Sequence, residues 1–199
     1  RAFRPLYLFL LNKWYFDELY DTLFSRPAQA LAVRLRDTVE GPVVQRSLVE
    51  VGRGCEFRCE FCAIQTVFNS SYRRRPLDEI VRELTELSRT DKNKLFFFVD
   101  DNFIAHPKEA KEVLEAIAPL GLRWVSQASV NAAHDEEFLE LLVRSGCQGV
   151  LIGFESLNPA NLESMNKRFN SAKGGFEVAL ANLRRHRIRI YGTFIFGYD

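Results

Sequence analysis

No apolar run in this sequence approaches the ~20 residues that a membrane-spanning helix requires, and no secretory signal of the charged, apolar, small-residue order opens it. An excess of one charge is equally absent, since 27 basic and 26 acidic side chains leave a net charge of +1. That balance gives no electrostatic reason to expect nucleic acid or an acidic membrane surface as a partner. Cysteine is sparse, four in 199 residues. Three of the four are crowded together, which is not the spacing of a disulfide-stapled secreted domain. Histidine is scarcer still, at three, and none lies beside those cysteines. What remains is a chain 47% apolar, long enough to bury one real core. It begins on Arg1 and ends on Gly197-Tyr198-Asp199, directly after a strand-like run, and so reads as a fragment.

The crowded cysteines sit in Gly54-Cys55-Glu56-Phe57-Arg58-Cys59-Glu60-Phe61-Cys62. Three thiolates on one short loop can hold three irons of a four-iron cluster and leave the fourth iron open to a small molecule. Fully ligated ferredoxin-type clusters use four cysteines. A structural zinc site is the competing reading, but zinc normally takes four ligands as two separated pairs. Only Cys147 could complete such a set, and its place after Gly146, ahead of an apolar strand, suits a small buried hydrophobe. Exposed thiolates and an oxygen-sensitive cluster point to a reducing, cytoplasmic setting.

From about residue 43 strand and helix patterns alternate, which implies an α/β fold of parallel strands with crossover helices. The strands are expected at Ser47–Val51, Leu95–Val99, Leu122–Ala128, Val150–Phe154 and Ile188–Phe196. The run Leu95-Phe-Phe-Phe-Val99 is that of a strand buried on both faces. Leu77, Ile80, Val81, Leu84 and Leu87 recur at helical spacing behind Pro76, and Pro107 opens a second helix carrying Ala110, Val113, Leu114 and Ile117. Asp135 to Ser145 is a third helix, with acidic residues in its first turn and Gly146 as its stop. A split helical stretch follows, through Leu162 and then Phe176 to Leu183.

Polar residues gather where these strands end, and in parallel α/β folds ligands bind at the carboxyl ends of strands. Strand one runs into the cysteine loop. Strand two ends in Asp100-Asp101-Asn102, strand three in Gln127, Ser129 and Asn131, and strand four in Glu155-Ser156. Each residue also has a structural reading. Asp101 could cap the helix at Pro107, and Asp100 or Glu155 could join a salt bridge. Tyr72-Arg73-Arg74-Arg75 reads first as a solvated basic face, although one arginine there could hold a carboxylate. Gly192 and Gly197 leave room for close approach of a ligand to the last strand.

The Cys-x3-Cys-x2-Cys spacing, with Phe61 before the last cysteine, resembles the radical S-adenosylmethionine (radical SAM) family over about residues 43–199. Phe98-Val-Asp-Asp-Asn102, Trp124-Val-Ser-Gln-Ala-Ser129 and Leu151-Ile-Gly-Phe-Glu-Ser156 resemble the subgroup usually paired with a cobalamin-binding domain. The resemblance implies a partial (β/α) barrel, here truncated to about five strands. It also implies a 4Fe-4S cluster on Cys55, Cys59 and Cys62, whose open iron binds SAM and whose reduced form cleaves SAM to a 5′-deoxyadenosyl radical. Asp100, Asp101 and Asn102 would meet the SAM amine, Glu155 the ribose or methionine part, and Gln127 and Ser129 SAM or substrate. A low-potential donor such as a flavodoxin or ferredoxin would supply the electron. Cobalamin-linked methylation of an unknown small molecule, through a domain outside these residues, is the activity implied.

Residues 1–41 differ in character and form an expected helical leader, foreign or fused, with Gly41-Pro42 as the junction to the core at 42–199. Leu6-Tyr-Leu-Phe-Leu-Leu11, Asn12-Lys-Trp-Tyr-Phe-Asp-Glu-Leu-Tyr20 and Arg26-Pro27 resemble the tail region of NADH–quinone oxidoreductase subunit L. Two alternatives to the enzyme reading therefore stand: a structural zinc module, and an accessory protein of a membrane complex.

Overall fold

The chain divides into two compact units, Arg1–Arg46 and Ser47–Asp199. The computed structural model describes residues 3–4, 19–38, 47–90, 94–104, 106–171 and 174–198. In the first unit a π turn, Asp21–Ser25, runs directly into helix α1, Arg26–Leu35, and neither buries a side chain. Arg26 donates to Asp21 at 2.8 Å. Pro27 lies in the first turn of α1, where its missing N–H costs nothing. The rest of the expected leader, with the Gly41-Pro42 junction, lies outside the described residues.

The second unit opens with β1, Leu48–Val49, and β2, Gly52–Gly54, followed by the cysteine loop and a short helix α2, Ala63–Val67. Then come β3, Tyr72–Arg74, α3, Leu77–Thr90, β4, Leu95–Phe98, and α4, Pro107–Ile117. β5, Arg123–Ala128, α5, Glu136–Arg144, and β6, Cys147–Glu155, continue the alternation. α6, Pro159–Ser164, α7, Gly175–Arg185, and β7, Arg189–Phe194, complete it. Five strands make one parallel sheet in the order β1-β4-β5-β6-β7, open at both edges. This is a partial (β/α) barrel. The expected first strand is cut short at Val49, because the chain turns to form a small antiparallel ribbon of β2 with β3.

The helices cover one face of the sheet. Phe96, Phe98, Trp124, Val150 and Ile152 pack there in one core with Ile80, Leu84, Val113, Leu114, Ile117, Leu139, Leu142 and Leu183. Trp124 is its centrepiece. The indole stacks on Phe98 with ring centroids 4.8 Å apart, meets Phe103 edge-on at 5.5 Å, and donates its N–H to Ser145 O at 3.0 Å. The partner for the N–H is what makes so large an amphipathic ring stable in a core. Asp135 caps α5 by accepting from Phe138 N at 3.0 Å. Gly146 then takes a φ of +94° in a place where a Cβ would meet Leu122 O at 1.8 Å. Only glycine fits there.

Among the described residues of this unit no helix packs on the opposite face, which corrects one expectation. β4 is buried on one side only: Phe96 and Phe98 are buried, whereas Leu95 is exposed and Phe97 half-buried. Leu95 and Phe97 instead line a cavity of about 410 Å³ with Val125, Leu151 and Tyr191 on the uncovered face. The apolar run reflects two different surfaces rather than one buried strand.

Replacing Trp124 with Ala removes the stack and leaves a void, and is expected to lower stability by about 3–5 kcal/mol. Urea unfolding followed by far-ultraviolet circular dichroism measures this. A loss below about 1 kcal/mol would show that the aromatic stack is not the centre of the core.

Candidate functional site

At the carboxyl ends of the strands lies a cavity of about 410 Å³, within the size range of small-molecule sites. Cys55, Cys59 and Cys62 line it together with Asp101, Asn102, Gln127, Ser129 and Glu155. Four separate stretches of sequence therefore meet in one hollow. All four cysteines of the chain are free thiols. Burial pushes the Cys59 thiol up, and Lys167 acts to pull it down.

The stalk of the cysteine loop is held by the end of β4. Asp100 accepts from Val51 N at 2.8 Å and Asp101 from Gly54 N at 2.8 Å. Asp100 is 1% exposed and is not among the residues that line the cavity; its Oδ1 serves the loop backbone, while its buried Oδ2 has no hydrogen-bond partner among the described residues. Burial pushes its pKa up to about 7, against the pull of the Val51 and Gly52 amides. Asp101 does line the cavity, and the helix starting at Pro107 has His106, not Asp101, at its cap position. Asn102 places Nδ2 3.7 Å from Cys55 Sγ, and its buried Oδ1 has no hydrogen-bond partner among the described residues.

Glu155 ends β6 with a φ of +63°, a strained conformation for a residue with a side chain. It is paired: Oε1 accepts from Lys167 Nζ at 2.6 Å, and Lys167 also donates to Gly153 O at 2.9 Å. Lys167 lines the cavity and lies 5.8 Å from the Phe61 ring centroid. Sequence reasoning missed it, as it missed Phe57 and Phe169, which stack at 4.4 Å beside the thiols. A lone lysine in the polar stretch Asn166-Lys167-Arg168 carries no periodic or motif signal.

Two of the three arginines in the basic run make ion pairs with the helices, while Arg73 is exposed. Arg74 pairs with Glu112 at 2.7 Å, and Arg75 pairs with Glu83 at 2.7 Å while donating to Glu50 O. None of the three arginines is among the residues that line the cavity. The space beside Gly192 is filled by the Phe154 ring, 2.8 Å from where a Cβ would stand. Gly197, with a φ of +76°, has open space around it.

The fourth-cysteine zinc site fails on geometry. Cys147 begins β6 and Glu155 ends it, so eight steps of ~3.3 Å put roughly 26 Å between Cys147 and the cavity end of the strand. Cys147 is buried, bonded to Gly149 O, and its thiol is pushed up to about 12. Among the described residues no three His, Cys, Asp or Glu side chains converge on one metal ion. Three thiols that serve three different irons do not need to converge on one point, and the donor set suits a cluster of that kind.

Residues 49–198 match the model of the Radical SAM superfamily. The chain belongs to that family. It is 44% identical over 149 residues to bacteriochlorophyllide d C-12(1)-methyltransferase of Chlorobaculum tepidum, covering 74% of this chain and 32% of that protein. Its fold is similar to that of the radical S-adenosylmethionine methyltransferase TsrM from Kitasatospora setae, a structure with cobalamin and a 4Fe-4S cluster bound. The TM-score is 0.67 at 23% identity, over 76% of this chain and 31% of the other. The chain thus spans about a third of the length of these relatives. A 48-residue stretch is also 50% identical to NADH-quinone oxidoreductase subunit L of Rhodobacter capsulatus, 24% of this chain and 7% of that protein. No helix among the described residues is long and apolar enough to cross a membrane.

Asp100 offers a pH test of the loop anchor. Because its folded pKa lies above that of the unfolded chain, the native state holds its proton longer, and stability falls as pH rises from about 4 to 7. Asp100→Asn keeps an acceptor for Val51 but cannot ionise. The stability difference between variant and wild type should therefore grow in the variant's favour across that window and level off above it. Urea midpoints between pH 4 and 8 measure this, and a pH-independent difference would mean that Asp100 is not a buried acid.

Proposed function

We propose that this chain is the core of a radical SAM enzyme in which Cys55, Cys59 and Cys62 hold a 4Fe-4S cluster and the neighbouring strand ends bind SAM. The observation that carries the reading is the convergence of the three thiols and the polar ends of β4, β5 and β6 on one cavity. Bound there, the cluster and SAM supply a low-potential electron and a sulfonium that it can cleave. The protein's own part is placement. Asp101 and Asn102, beside Cys55, offer acceptors to an ammonium group. Glu155 has a second carboxylate oxygen to accept from ribose hydroxyls while Oε1 is held by Lys167. Gln127 and Ser129 supply further polar contacts on the β5 side, and Phe57, Phe61, Ile64 and Leu151 give the cavity its apolar walls. Orienting the sulfonium against the thiolate side of the cavity makes electron transfer an intramolecular event.

The similarity to methyltransferases supports methyl transfer as the whole enzyme's reaction, with cobalamin held by a domain outside these residues. The Chlorobaculum tepidum relative and TsrM are both methyltransferases, and the TsrM structure contains cobalamin. A small-molecule substrate and a low-potential electron donor of the flavodoxin or ferredoxin type belong to the same reading. Four free thiols suit a reducing cytoplasm. Residues 1–41 are read as a helical leader foreign to the core at 42–199.

Anaerobic reconstitution with iron and sulfide, followed by electron paramagnetic resonance of the reduced protein, tests this directly. The wild-type chain should show a four-iron signal that changes on adding SAM. Cys59→Ala should lose that signal and most of its bound iron and sulfide while keeping its helix–strand circular dichroism. Full iron and sulfide in Cys59→Ala, or a wild-type signal indifferent to SAM, would overturn the assignment.

A further inference from the structure

The stretch Met165–Asn170 touches both halves of the site. Towards the cysteine loop, Met165 O accepts from Glu60 N at 3.1 Å and Asn166 Nδ2 donates to Arg58 O at 2.8 Å. Phe169 stacks on Phe57 of the same loop. Towards β6, Lys167 donates to Gly153 O and Glu155 Oε1, and Asn170 donates to Gly153 O at 3.1 Å and Phe154 O at 3.2 Å. The stretch is a bracket between the loop and the strand end. The backbone makes room for it, because a Cβ on Gly153 would stand 2.2 Å from Glu155 Oε1 and 2.8 Å from Lys167 Nζ.

At the centre of the bracket is a nearly buried ion pair, with Lys167 9% and Glu155 8% exposed. Its net charge is zero, so its effect on the loop depends on which member dominates there. Lys167 is the member tied to the loop: its neighbours Asn166 and Phe169 meet Arg58 and Phe57, and its ammonium lies 5.8 Å from the centroid of the Phe61 ring. Away from bulk water such a fixed charge is poorly screened. We propose that Lys167 is a positioning residue that raises the reduction potential of the cluster on Cys55, Cys59 and Cys62, through an ammonium that Glu155 and the Gly153 carbonyl hold in place. This rests on the cluster reading above and extends it. Among the described residues Lys167 is the one cation in the lining of the cavity, facing three thiols, Asp101 and Glu155. Adding an electron to a site of that composition costs less with the ammonium present, since net charge and burial set cluster potentials.

The test is a redox titration followed by electron paramagnetic resonance on the reconstituted full chain without SAM. It compares wild type with Lys167→Met, Lys167→Arg and Glu155→Gln. Lys167→Met should make reduction at least tenfold less favourable, a fall of about 59 mV for a one-electron couple. Lys167→Arg keeps the charge and should stay near wild type, and Glu155→Gln removes the opposing charge and should move the potential upward. A merely structural role would not give opposite signs for the two partners. An unchanged potential in Lys167→Met, or an equal fall in Lys167→Arg, overturns the proposal. If Lys167→Met takes up no iron, Glu155→Gln decides alone: a rise supports the proposal, and no change or a fall overturns it. A wild-type chain that assembles no four-iron cluster would instead overturn the underlying cluster reading.

Discussion

Thiols have no attraction for one another, and thiolates repel, so a loop that gathers three of them must be held from outside. Here the holding force is a set of hydrogen bonds from the end of one strand to the start of the next turn. β1 and β4 lie side by side and parallel, with Val99 N donating to Val49 O at 3.0 Å just beyond the paired residues. That pairing brings Asp100 and Asp101 directly beneath the backbone that leaves β1, where they take the N–H groups of Val51 and Gly54. From the other side Arg75 N donates to Val51 O at 2.9 Å, closing the stalk between two strands. Acceptors aimed at these backbone N–H groups from a neighbouring strand end leave the stalk little freedom. Move β1 against β4 by one residue and the stalk would lose both acceptors.

The sheet divides the labour between its faces. The helix-covered face carries the aromatic core of Phe98, Phe103 and Trp124 directly below the strand ends. The uncovered face carries one cavity, and the thiol-lined cavity at the strand ends shares Leu151 with it. A site built over a packed aromatic layer can tolerate locally unfavourable features, and this one has two: Glu155 at positive φ and a nearly buried ion pair. The desolvation of such a pair is offset only where the remaining donors and acceptors are also satisfied. Lys167 accordingly donates to the Gly153 carbonyl as well as to the carboxylate.

The readable parts of this protein were those whose physics is local. Helices came from periodicity with proline at their starts, the acidic first turn of α5 and its stop at Gly146 from the residue order, and the five parallel strands from apolar runs between helices. The cysteine spacing and the polar strand ends announced the cavity. What stayed hidden depends on which distant groups meet. Nothing in Asp100-Asp101-Asn102 says that the first carboxylate turns to backbone while the next two residues line a hollow. Arg74 and Arg75 look like a solvated run until Glu112 and Glu83 arrive from two helices. β4 reads as doubly buried because sequence shows apolarity but not how many faces the fold covers. Lys167 becomes meaningful only through Glu155, twelve residues earlier on another element.

The same connectivity limits how far roles at the site can be separated. Asp101 lines the cavity and also fixes Gly54, the neighbour of Cys55. Glu155 lines the cavity and also clamps Lys167, which belongs to the bracket on the loop. A carboxylate accepting one hydrogen bond has capacity for more, so each can serve a ligand and the scaffold together. A ligand that draws on Asp101 or Glu155 therefore pulls on the thiol loop from opposite sides. Under the proposed reading, a ligand on either carboxylate and the thiol loop are coupled through hydrogen bonds already in place. Losing either carboxylate would register at the thiols as well as at the ligand, whereas losing a wall such as Leu151 would register at the ligand alone.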